Sequence, residues 1–165
     1  MSRASWWGSK ARQFRAHVRA RVAPEERSAL AAWLSADQLR LFDSMHVADR
    51  RHGLDVSGAL RAEGVTDPDV LLAGLLHDAG KGSTGVWPRV IYALGQRYGT
   101  WVWRRAAFLP GMTRALDRLG AHAETSARLA GEAGSSARTV QLIRDQDAPT
   151  APESGEALRL ADEAN

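Results

Sequence analysis

The chain contains no cysteine. Disulfide frameworks, thiolate zinc sites and thiol nucleophiles are therefore excluded, and any bound metal must sit on nitrogen and oxygen donors. A cysteine-free chain also fits the cytoplasm. Long apolar runs are missing as well. None approaches the roughly 18–20 residues of a membrane span, and no uninterrupted apolar stretch follows the basic N-terminus as a secretory signal would require. No stretch alternates apolar and polar residues long enough to mark a strand. Acid is missing from residues 1–24, which carry Arg3, Lys10, Arg12, Arg15, Arg19 and Arg21. With a net charge of only +3, this is an uneven distribution. Such an end suits a solvated face, and it also suits a nucleic acid or an anionic membrane surface.

What remains is helix-forming. Ala, Leu, Arg and Glu dominate, and the 44% apolar content of 165 residues is enough for one buried core. The expectation is an all-α single domain over 1–165, with 1–34 as a basic helical extension. Within it, a basic helix over about 8–22 would place Phe14, Val18 and Val22 on one face. Pro24 suits a first turn, and Ser35 with Gln38 reads as a capping box. A helix over about 46–62 should stop at Gly64. Asp67-Pro68 should cap and open a buried helix carrying Val70, Leu71, Leu72, Leu75 and Leu76, with Gly80 and Gly82 at its end. Residues 83–119 read as an insert of two or three short helices turning at Pro110-Gly111. Three more helices are expected over about 121–134, 136–146 and 153–164.

The chemistry concentrates in Leu75-Leu76-His77-Asp78-Ala79-Gly80-Lys81-Gly82. An ionised carboxylate at the end of so apolar a helix is costly to bury unless something pairs with it, and a divalent cation would do so. His and Asp suit Zn, Mn, Fe or Ni. The bland alternative is a His and an Asp that merely cap a helix end.

The phrase HDAGK, with His77 and Asp78 as its doublet, resembles the motif of the HD superfamily of metal-dependent phosphohydrolases, whose usual form is HDxGK. The likeness covers roughly 45–165. That family's pattern adds an early His and a late Asp. Asp49-Arg50-Arg51-His52-Gly53-Leu54-Asp55-Val56 is similar to its first motif and makes His52 the early His in preference to His46. Leu158-Arg159-Leu160-Ala161-Asp162 is similar to its last. The resemblance thus implies a compact HD-domain helical bundle in which His52, His77, Asp78 and Asp162 hold one divalent ion (Mn, Fe, Ni, Co, Zn or Mg). Relatives with two metals add a His and a His-His pair. His122 matches the region of the added His, but Asp145 and Gln146 stand where those relatives carry the pair, so a single metal is expected.

The implied activity is hydrolysis of a small phosphorylated substrate, a nucleotide or another phosphate ester, by a metal-activated water. Asp78 and Lys81 would be catalytic, Lys81 also meeting phosphate as a point charge. His122 and Asp145 would line the substrate pocket. Asp49, Arg51 and Asp55 are candidates for supporting roles. In the insert, Trp87, Tyr92, Tyr98, Trp101 and Trp103 suit base stacking or core packing. Arg89, Arg97, Arg104 and Arg105 suit phosphates, a membrane surface or a partner such as a second copy in a homodimer. The competing reading is a non-catalytic HD-fold module that binds a nucleotide, a partner or an anionic surface.

Overall fold

The computed structural model describes residues 19–165. Among them there are ten α-helices and no strand. In chain order these are α1 (Pro24–Leu30), α2 (Ala36–Ser44), α3 (Val47–Ala62), α4 (Pro68–Leu76), α5 (Val86–Tyr98), α6 (Trp101–Ala106), α7 (Met112–Gly120), α8 (His122–Glu132), α9 (Ala137–Arg144) and α10 (Ser154–Ala164). A 3-10 turn, Ala79–Lys81, follows α4. None of these helices is long and apolar enough to cross a membrane.

Local chemistry sets most boundaries. Ser35 Oγ accepts the Gln38 amide at 3.2 Å while the Gln38 side chain accepts the Ser35 amide at 3.0 Å, so α2 opens on the expected reciprocal cap. Asp67 accepts the Asp69 amide at 2.9 Å and Pro68 occupies the first turn of α4. Gly64 and Gly134 follow α3 and α8 with φ of 87° and 78°, backbone that resists an L side chain.

The expected helix over 8–22 falls mostly outside the described residues, as do Phe14 and Val18. Of the described end, Arg19 is helical and residues 20–23 are irregular, Ala23 being extended (φ −71°, ψ 147°) because the ring of Pro24 disfavours helical backbone before it. Residues 24–34 are also more than an extension, since Leu30 and Leu34 are buried in the core.

Helix α4 is the centre. Every residue from Val70 to Leu76 is buried, and α3, α9 and α10 pack around it. Burial on all sides explains why its apolar residues run continuously instead of forming a stripe. The core cluster joins Phe42 of α2, Met45 just after it, and Val56 and Leu60 of α3 to α4, and closes with Ala127, Ala130, Leu142, Ile143, Leu158 and Ala161. Segment 83–119 contributes nothing to that cluster. Its helices α5, α6 and α7 pack on one another, and α7 rests on the 3-10 turn and α8. The insert is therefore a separate cap beside the doublet, made of three helices with Gly111 (φ 76°) at the expected turn.

Candidate metal centre

The sequence placed the doublet in the last turn of a helix ending at Gly80. Helix α4 instead stops at Leu76. His77 is its C-terminal cap, and Asp78 (φ −99°, ψ 4°) opens the 3-10 turn. The turn has a packing cause. A Cβ on Gly80 would lie 2.5 Å from the His122 carbonyl oxygen and 2.7 Å from the Ser126 amide nitrogen, so only glycine allows the chain to pass the first turn of α8. The Gly80 amide donates to the buried Ser126 Oγ at 2.8 Å, which satisfies a donor that the close approach hides from water.

At this bend His77 and Asp78 are 1% and 2% exposed. The His77 Nδ1–H donates to the Gly74 carbonyl at 2.9 Å. A carbonyl only accepts, so Nδ1 holds a proton and Nε2 is the nitrogen available to a metal. Helix α3 brings His52 alongside, its ring centroid 5.2 Å from that of His77. From α10 comes Asp162, whose Oδ1 lies 2.7 Å from His52 Nε2 and 3.3 Å from His77 Nε2. The ligand atoms of His52, His77 and Asp162 all lie within 4.8 Å of one another. Asp78 is not one of those three, but its Oδ1 stands 3.5 Å from His77 Nε2. Asp78 Oδ2 accepts Lys81 Nζ at 2.5 Å.

Only four buried side-chain polar atoms among the described residues lack a hydrogen-bond partner, and two of them are His77 Nε2 and Asp78 Oδ1. Orphaned atoms of this kind are rare in folded proteins. Here they lie 3.5 Å apart, and they are an imidazole nitrogen and a carboxylate oxygen. The residues present fit a divalent metal.

Electrostatics agrees with that. Burial disfavours a charged His77, but the carboxylates of Asp78 and Asp162 outweigh it and raise its pKa from 6.5 to about 9. Burial likewise opposes ionisation of Asp78, and Lys81 with His77 and His52 overrides it, holding the carboxyl well below the usual range. Asp162 is held low against burial by the two histidines. A protonated His77 and a bound metal cation would each offset the same carboxylate charges.

His122 lies at the rim, Nε2 3.9 Å from Asp78 Oδ1, with its Nδ1–H donated to the Leu119 carbonyl at 2.7 Å. Burial, then Lys81, lowers its pKa. Asp145 is not brought to the cluster. It caps the end of α9, where Gln141 and Thr150 donate to its carboxylate. The acids whose charges oppose the lowering at His122 are Asp78 and, less strongly, Asp147. Gln146 is buried, and its amide donates to the His77 carbonyl at 3.3 Å. It braces the doublet from behind. His46 N-caps α3, its Nδ1 accepting the Ala48 amide at 3.2 Å.

Two supporting contacts escaped the sequence reading. The sequence suits Arg89 to phosphate, yet its guanidinium grips the buried carboxylate of Asp49 with two 2.6 Å bonds and donates to the Thr84 carbonyl. Arg51 pairs with Glu26 and Asp55. The signal for the first pair was an acid on the buried side of α3, one turn before Gly53, but its partner is 40 residues away and no local pattern names it. Compared with family models, curated proteins and solved structures, the chain matches none.

Proposed function

We propose that this chain is a metal-dependent phosphohydrolase of HD type, with His52, His77, Asp78 and Asp162 holding one divalent ion and a nucleotide or other small phosphate ester as substrate. The observation that carries the reading is the convergence of the His52, His77 and Asp162 ligand atoms within 4.8 Å, beside the orphaned His77 Nε2 and Asp78 Oδ1. When bound, the metal supplies a Lewis acid and an acidified water. The remaining roles belong to side chains. Lys81 holds Asp78 ionised and offers positive charge to a phosphate oxygen. His122, kept neutral by burial and by Lys81, has its free Nε2 turned toward Asp78 and can accept a proton from water or substrate. Gln146 and the Gly74 carbonyl fix the backbone and the ring of His77. The cytoplasm, where nucleotides abound, is the setting this reading implies.

The test is phosphate release from a panel of nucleotides and phosphomonoesters with added Mn²⁺, comparing wild type with Asp78→Ala. Activity in the wild type and its loss by at least a hundredfold in the variant is the expected result. A folded, metal-loaded wild type that releases nothing refutes the reading. A non-catalytic HD-fold module that binds a nucleotide is then next in line, and one observation favours it: Gln146, at a position of the His-His pair, faces the core.

A further inference from the structure

The cap formed by 83–119 has an inner and an outer side, and α6 separates them. Val102, Trp103 and Ala106 turn inward. The Trp103 indole N–H donates to the Tyr92 carbonyl at 3.2 Å, and its ring stacks on Tyr92 with centroids 5.4 Å apart and planes 9° from parallel. A Cβ on Gly95 would fall 1.7 Å from Trp103 Nε1, so the ring is seated against bare backbone. This anchoring makes the outer side a fixed surface. On that side Trp101, Arg104 and Arg105 are exposed, with Phe108 following. Positions 101 and 105 are spaced i and i+4 on α6 and share one face, and Phe108 is exposed in the turn that follows the helix.

That face combines apolar tips with positive charge. Phe108 is 81% exposed, Trp101 52% and Leu109 39%, and Pro110 completes the tip. The Trp101 indole N–H is already donated to the Tyr98 carbonyl at 2.8 Å, and the Arg105 guanidinium lies 5.8 Å from its ring centroid. Between 83 and 120 the charged residues are Arg89, Arg97, Arg104, Arg105, Arg114 and Arg118 against Asp117 alone. Arg89 is committed to Asp49. The other five form no ion pair among the described residues.

We propose that this face docks on an anionic lipid bilayer. Trp101, Phe108 and Leu109 enter the boundary between headgroups and acyl chains, and Arg104 and Arg105 meet lipid phosphates. Charge complementarity selects an anionic partner, and the apolar tip selects lipid over nucleic acid. Phe108-Leu109-Pro110 has no side-chain donor or acceptor with which to read a base, and the Trp101 N–H is already used. Trp101 and Phe108 suit base stacking and acyl chains alike, whereas Leu109 and Pro110 suit acyl chains alone and tilt the tip toward lipid. The attachment is peripheral and does not depend on the metal.

The experiment is cosedimentation of the full chain with vesicles of phosphatidylcholine alone and of phosphatidylglycerol mixed with phosphatidylcholine, at low and high salt. Single-stranded oligonucleotide binding is measured in parallel. Arg104→Gln/Arg105→Gln removes charge, Phe108→Ser removes the apolar tip, and Arg40→Gln/Arg128→Gln removes equal charge from side chains 75% and 56% exposed elsewhere. All of these positions are exposed, so melting temperatures should match wild type and confirm folding. Salt-sensitive binding to the phosphatidylglycerol vesicles alone is expected. At roughly fivefold per arginine, the face pair should lose about 25-fold, Phe108→Ser about tenfold, and the control pair less than twofold. The proposal is overturned by absence of vesicle binding at low salt, by equal loss in the control pair, or by face variants that bind vesicles normally. If those variants instead lose only the oligonucleotide, the face is assigned to nucleic acid and the lipid proposal fails.

Discussion

Gly53 and Gly58 lie on the same helix, α3, and should respond to alanine in opposite directions. At Gly53 an added Cβ would lie 2.3 Å from the Leu75 carbonyl oxygen, 3.1 Å from its carbon and 3.3 Å from its Cα. All three are backbone atoms of α4, so no rotamer change relieves the clash. Carbon–oxygen contacts settle at about 3.3–3.6 Å, so α3 must retreat by roughly 1 Å. That retreat loosens Val56 and Leu60, both fully buried beside α4. Overpacking of this kind costs about 1–3 kcal/mol or more, against a helix-propensity gain of about 1 kcal/mol for Ala over Gly. Gly58 is exposed and its Cβ would meet nothing within 4 Å, so Gly58→Ala should show only the gain. The two variants should therefore differ by about 1–3 kcal/mol or more in urea unfolding, at unchanged m-value. Because His52 precedes Gly53 and Leu75 is two residues before His77, the same retreat separates two of the proposed ligands. Gly53→Ala should weaken Mn²⁺ binding at least tenfold while Gly58→Ala leaves it intact. Equal stability of the two variants would refute the α3–α4 contact from which the effect is worked.

Two further outcomes follow from buried charge. Arg89→Met strands the Asp49 carboxylate, which is 3% exposed, and should cost about 3–5 kcal/mol; Asp49→Asn/Arg89→Met should cost clearly less, and an additive cycle would show that the pair is not coupled. In the metal-free protein the His77 pKa is raised from 6.5 to about 9, so its stabilising contribution is complete below about pH 6.5 and is lost as pH rises through 9. Asp78 and Asp162 are lowered, so theirs is present above the ordinary Asp range and lost in acid. Metal must displace the His77 proton. Calorimetry should therefore show proton release and an apparent affinity that rises about tenfold per pH unit between 7 and 8.5. A flat profile over that interval would mean that Nε2 is not a ligand.

How much of this was legible depended on the range of the forces involved. Caps and stops act within four residues, so Ser35, Gln38, Asp67, Pro68 and Gly64 announced their helices directly. Helix α4 announced its burial through an unbroken apolar run. The cluster of His52, His77 and Asp162 could be anticipated only through a motif likeness, because nothing in local periodicity tells α10 to lay its last turn beside α3. The bend at His77-Asp78 was missed for a related reason. It is set by the approach of Gly80 to α8, 46 residues away at Ser126, and a glycine in the sequence does not say whether it ends a helix or admits a neighbour. Beyond Arg144 the chain leaves helical geometry, so counting by 3.6 no longer tells which side chain faces inward. Asp145 therefore reads as a pocket residue in the sequence, whereas its carboxylate accepts from Gln141 and Thr150.

That irregular stretch also bears on metal count, and the consequence can be tested by restoring what the two-metal pattern would require. In Asp145→His/Gln146→His the first imidazole would replace a carboxylate that faces Gln141 and Thr150. The second would replace an amide buried 3.3 Å from the His77 carbonyl. Neither native side chain bonds to the side chains of His52, His77, Asp78 or Asp162. The double variant should still bind one equivalent of Mn²⁺ by calorimetry. It should also lose about 1 kcal/mol of stability with the Gln146 hydrogen bond, and bind that single ion more weakly because the His77 backbone is no longer braced. A second equivalent bound at comparable affinity would mean that the 145–147 turn can reorient toward Asp78. The one-metal reading would then rest on residue type alone and not on the fold, since the backbone would have been able to present the missing pair all along.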